Sequence, residues 1–169
     1  LVSRGASSIL RVWALPASGW GLSSTMPLVV VQAISGSSLD LEVEEEDTVA
    51  SLKDLVEQRW SLPGRFQRLI KSTAPLDDDD SLVPHCPSDG APLLLTLVVS
   101  MEAATRDLES GSIYRRLAMA DDLRVLGHRG GDAAVSLAAA LLADVLPRFR
   151  RAGLDALAAC AQRGDARAA

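Results

Sequence analysis

The chain has 169 residues and a net charge of −5; 48% of its residues are apolar, and it has two cysteines, Cys86 and Cys160. That length suits one domain plus a smaller second unit, and the apolar content allows a packed core. Two widely separated cysteines without a partner motif argue against a disulfide framework and against a zinc site, and no apolar run approaches the roughly 20 residues of a membrane span.

The charge is distributed unevenly. Residues 1–26 carry two arginines and no acid, residues 27–100 carry thirteen acids against five bases, and residues 101–169 carry ten arginines against nine acids. An acidic middle segment is a poor partner for nucleic acid, whose phosphates repel it, and a better one for a basic protein surface. Residues 1–25 are rich in Ser, Gly, Ala and Leu and read as a disordered or non-native leader, with a targeting segment as the alternative. Because the sequence opens on Leu1, Met26 is a candidate native start and the chain a candidate fragment.

From Leu28 to Ile34 the sequence is dense in β-branched residues, which predicts a strand. Ser35-Gly36-Ser37-Ser38 predicts a turn, and Leu39, Leu41 and Val43 then alternate with acids, as a half-buried second strand requires. Thr48 is placed to cap a helix over Val49–Arg59, with Val49, Leu52 and Val56 on one face and Glu44 to Asp47 near its positive end. Pro63-Gly64 marks the stop. Arg68–Lys71 predicts a third strand, Leu76 and Leu82 stand as isolated apolar anchors in a polar loop, and Leu93–Val99 predicts a closing strand. A helix across one face of a mixed sheet is an α+β arrangement.

Three stretches in this order, LDLEVEEEDTVASLKDLVEQ, LPGRFQRLI and PLDDDDSL, resemble matching parts of ubiquitin, collinear and without a gap over residues 27–100. The resemblance implies a β-grasp fold. It also implies a protein-binding patch at Ile34, Ile70, Leu94 and Thr96, with Leu94 standing where the family has a histidine and Thr96 where it has a valine. Leu69, Leu93 and Leu95 point inward by alternation, so Ile70 and Leu94 point outward. Lys53 falls on a largely buried family lysine and Asp78 on its acidic partner, a structural pair. The family's common linkage lysines map to Ala74 and Asp89, so polymer building of the usual kinds is not expected. Trp60 and Phe66 are aromatic where ubiquitin is polar, and are expected at the surface, free to dock a partner or the C-terminal segment.

The family's diglycine tail is absent after the last strand. The chain instead reads Val98-Val99-Ser100-Met101-Glu102 and continues, and its sole diglycine, Gly130-Gly131, lies about thirty residues on. Residues 101–112 read as a linker or short helix broken at Ser110-Gly111-Ser112. Residues 113–169 read as helices over Ile113–Leu126, Ala133–Leu146 with Asp132 as cap, and Phe149–Gln162, with Pro147 interrupting. Leu137, Leu141 and Val145 form the expected apolar stripe of the second of these. Gly131-Asp132-Ala133 recurs as Gly164-Asp165-Ala166, and FRRAGLDALAACAQRGDARAA resembles a short HEAT repeat of the phycobilisome-lyase type.

No nucleophile–base set, phosphate loop, cofactor motif or metal cluster is legible. His85-Cys86 has no further ligands nearby in sequence, and Asp77 to Asp80 lack the alternate spacing of a calcium loop. The sequence therefore predicts a non-enzymatic, intracellular (cytoplasmic or nuclear) docking protein without catalytic, cofactor or metal sites and without nucleic-acid or membrane partners. Its partners by resemblance are proteins with ubiquitin-binding domains or the proteasome. The alternative is a fragment of a larger enzyme or regulator.

Overall fold

A computed structural model describes residues 27–44 and 46–161. Strand β1 (Leu28–Ala33) turns back through Ile34-Ser35-Gly36 into β2 (Ser38–Glu42), with Gly36 at φ 92° where a side chain would be strained. Helix α1 (Val49–Trp60) follows, then β3 (Gln67–Lys71), the two-residue β4 (Ala74–Pro75) and β5 (Leu93–Val99). The sheet order is β2-β1-β5-β3-β4, with β1 and β5 parallel and the other neighbours antiparallel.

The alternation dictates which face is covered. Val29 and Val31 of β1, Leu69 of β3, and Leu93, Leu95 and Leu97 of β5 are buried together with Val49, Leu52 and Val56 of α1. The cap of α1 is reciprocal: Thr48 Oγ1 accepts the Ser51 N–H, and Ser51 Oγ accepts the Thr48 N–H at 3.0 Å. Leu76 and Leu82 are buried, so the anchors hold the polar loop to the core. The resemblance to a β-grasp domain thus describes the sheet and its helix.

Beyond β5 the chain turns directly into helix. Among the described residues four α-helices follow, α2 (Glu102–Glu109), α3 (Ile113–Leu126), α4 (Gly131–Leu142) and α5 (Pro147–Ala161). Their packed faces alternate large and small side chains: Met119, Ala120, Leu123 and Leu126 of α3, Ala134, Leu137, Ala138 and Leu141 of α4, and Phe149, Gly153, Ala156 and Cys160 of α5. At Gly153 an added Cβ would lie 2.8 Å from the Ala138 carbonyl oxygen, so α4 and α5 touch backbone to backbone.

Several expectations need correction. Helix α4 begins at Gly131 and ends at Leu142, so Asp132 sits inside its first turn and is not its cap. The early end has a local cause. Asp144 Oδ1 accepts the Leu146 N–H at 2.8 Å, and the proline that follows disfavours helical backbone at Leu146. Val145, expected in the apolar stripe, is therefore 88% exposed. Pro147 opens α5, where its missing N–H costs nothing. Phe66, expected at the surface, is fully buried, and Trp60 is half-buried against the same core. The second copy of the Gly-Asp-Ala echo, Gly164-Asp165-Ala166, lies outside the described residues.

The helices pack on the sheet domain through charged contacts. Arg65 Nη1 donates to Asp107 Oδ2 at 2.5 Å, and its Nε lies 2.5 Å from Asp122 Oδ2. Burial pushes the Asp122 carboxyl above its ordinary range, with Arg65 opposing the shift. Arg129 donates to the Trp60 carbonyl at 2.7 Å and to the Ser61 carbonyl, and also to the carbonyls of Leu126 and Val125 at 3.2 Å. One guanidinium thereby satisfies carbonyls at the C-terminal ends of both α1 and α3.

Candidate protein-binding face

The side of the sheet opposite α1 is assembled from alternate residues of three strands. Thr96 of β5 stands between Gln32 of β1 and Ile70 of β3, and one step along the strands Leu94 stands beside Val30. Ile70, Leu94 and Thr96 therefore share one neighbourhood. Leu94 is 66% exposed and Ile70 is half-buried by its neighbours. Ile34 is 76% exposed but lies one residue beyond β1, in the turn. Its position outside the strand corrects the expectation that all three isoleucine and leucine positions lie on strands.

The neighbouring strand adds a contrast. Asp40 and Glu42 of β2 lie opposite Val30 and Leu28, so an acidic margin borders the apolar row. Val30 belongs to the row and was not among the residues singled out from sequence; the same alternation that turns Val29 and Val31 inward would have found it.

Lys53 Nζ lies 2.5 Å from Asp78 Oδ1, with the lysine side chain 13% and the aspartate side chain 64% exposed. The partner of Lys53 is thus open to water. Replacing Lys53 by Met is expected to cost less than about 1 kcal/mol, the range of solvent-exposed ion pairs, checked by urea denaturation. A loss near 3 kcal/mol would contradict the exposed placement of Asp78.

The thiols offer no activated nucleophile. Burial pushes Cys86 and Cys160 above the ordinary thiol range, with Lys71 partly opposing the shift at Cys86, whose Sγ donates to the Leu82 carbonyl at 3.4 Å. Within the four-aspartate loop, the Asp77 N–H donates to Asp80 Oδ2 at 2.9 Å, and the Asp80 and Asp78 carbonyls accept the Val49 and Ala50 N–H groups at 2.9 and 3.0 Å. Among the described residues no cluster of three or more His, Cys, Asp or Glu side chains is arranged to hold a metal, and no helix is long and apolar enough to cross a membrane.

A sheet with one helix-covered face and one exposed apolar row defines a protein-interaction module of ubiquitin-like type. Residues 29–93 match the sequence model of the Ubiquitin family, so the chain carries a ubiquitin-like domain. Ubiquitin-like protein 1 of Schizosaccharomyces pombe is 28% identical over 72 residues, a span that covers 43% of this chain and 92% of that relative.

Proposed function

We propose that the domain is a built-in, non-conjugated docking module that binds ubiquitin receptors, including proteasome-type receptors, through the row formed by Ile34, Ile70, Leu94 and Thr96, while the helices serve as its scaffold. The observation that carries the reading is the exposure of Ile34 and Leu94 with all four helices in place. Exposed apolar side chains clustered on a sheet face are a candidate partner site. A free diglycine is not offered instead. Gly130 is packed so closely that an added Cβ would lie 2.4 Å from Ala134 Cβ, and Gly131 begins a helix.

The test is a titration of the full chain with a panel of ubiquitin-binding domains, read by NMR shift mapping. Shifts should centre on Ile70, Leu94 and Thr96. Ile70→Ala should weaken binding by about 1–3 kcal/mol, as a central anchor does, with little change in stability. Shifts confined to the α1 side would refute the assignment.

A further inference from the structure

The end of the helical bundle at which α3 and α5 begin carries a second exposed surface. Three contacts bring its parts together. Arg116, in the first turn of α3, pairs with Asp144 of the α4–α5 loop. Its guanidinium carbon also lies 4.2 Å from the centre of the Phe149 ring at the start of α5. Arg150 Nη1 donates back to the Asp144 and Val145 carbonyls at 3.2 and 2.8 Å. The loop is thereby held from α3 and from α5, and what it displays is presented on a fixed support.

The loop displays apolar side chains. Val145 is 88% exposed and Leu146 is 41% exposed. The charge beside them is positive. Arg116 is neutralised by Asp144, but Arg148 and Arg150 are exposed and form no ion pair among the described residues. Arg148 stays at this end of the bundle, its guanidinium carbon 5.4 Å from the centre of the Phe149 ring. The surface is an apolar knob with a basic border.

A surface of the opposite pattern stands on the same chain. On the sheet face Leu94 and Ile34 are exposed beside half-buried Val30 and Ile70. Its margin is Asp40 and Glu42, both exposed and without an ion pair among the described residues. The two surfaces match in kind, apolar centre to apolar centre and arginine to carboxylate. Both are open in one and the same structure, so the molecule does not satisfy them within itself. The wider charge agrees: residues 27–100 carry thirteen acids against five bases, and residues 101–169 ten arginines against nine acids.

We propose that the Val145–Leu146 knob of one molecule docks on the Leu94–Ile34 face of a second copy of this chain, with Arg148 and Arg150 meeting Asp40 and Glu42 across the contact. The two patches differ, so the contact is heterologous, and assembly continues from copy to copy unless a ring closes. The docked knob covers the row through which a receptor would bind, so self-association and receptor binding exclude each other. The contact itself depends only on the exposure and charge of the two patches, whether or not a receptor uses the row.

The test is sedimentation velocity of the full chain from about 10 μM to about 1 mM, where association that weakens with added salt is expected. Dilution shifts at Val145, Leu146, Leu94 and Ile34 together read the same contact by NMR without any substitution. Val145→Ser with Arg148→Glu disables the knob, and Leu94→Ser with Asp40→Arg disables the face. All four side chains are exposed, so both variants should keep the fold, checked by circular dichroism. Each variant alone should self-associate at least about tenfold more weakly. Their equimolar mixture should form a one-to-one dimer that grows no further, because one chain supplies the intact knob and the other the intact face. A chain that stays monomeric up to about 1 mM overturns the proposal. So does association that persists in both variants, or a mixture that stays monomeric. A monomer that instead binds phosphatidylserine vesicles through Val145 assigns the knob to an anionic lipid surface and overturns the second copy as its occupant. The knob variant should bind receptors as the unsubstituted chain does, so the two contacts can fail separately.

Discussion

Phe149→Ala is expected to destabilise the protein by about 3–5 kcal/mol, the cost of deleting a buried aromatic side chain. Phe149 is fully buried near the start of α5, and its ring is the surface on which Arg116 stacks, with the guanidinium carbon 4.2 Å from the ring centre. Arg116 in turn pairs with Asp144, whose carboxyl is held below its ordinary range by the Leu146 N–H and then by Arg116. Removing the ring leaves a cavity and also frees a guanidinium from its support. Thermal unfolding should show a fall of about 10 °C for a chain of this size. A change below about 1 kcal/mol would show that the α3–α5 contact re-forms without the ring.

The substitution Gly153→Val should be comparably damaging for the opposite reason. Here there is no room: a Cβ would meet the Ala138 carbonyl oxygen at 2.8 Å and Leu141 Cβ at 2.9 Å. Backbone cannot rotate away as a side chain can, so α5 must shift off α4 along the whole contact. Overpacking of this kind costs about 1–3 kcal/mol, and the two further methyl groups of valine place the expectation at the upper end. Gly153→Ala should fall lower on the same scale, and equal loss from both would argue against the steric account. Urea unfolding followed by circular dichroism makes the comparison.

How much of this was legible beforehand depended on how each element is stabilised. The sheet domain was readable because its signals are local: alternation in Leu39, Leu41 and Val43, the Thr48 cap, and the apolar spacing of Val49, Leu52 and Val56. The bounds of β5 and α3 could be read for the same reason. The end of α4 could not, because alanine and leucine favour helix throughout and the stop is set by one aspartate side chain bonding two residues ahead. Phe66 was misjudged because the residue it replaces in the resemblance is polar, whereas here the region beside it is covered by added chain. Of the candidate face, Ile70, Leu94 and Thr96 followed from the pleat, while Ile34 was misplaced by the one-residue difference between a strand end and a turn. A groove lined by residues from Ala50 to Arg106 was invisible to sequence reading, since those residues share no pattern.

The exit of β5 sets a limit on how the protein can be handled in a cell. The Ser100 N–H donates to the Phe66 carbonyl at 2.9 Å, and helix begins two residues later, with Arg68 bound to Glu102. Proteases cut most readily at exposed, unstructured segments, and this junction offers no such stretch. Under the proposed docking role, the face would stay tied to its helices from synthesis in a ratio of one to one, and its supply would follow that of the whole chain, whereas a modifier released from a precursor can be attached, removed and used again.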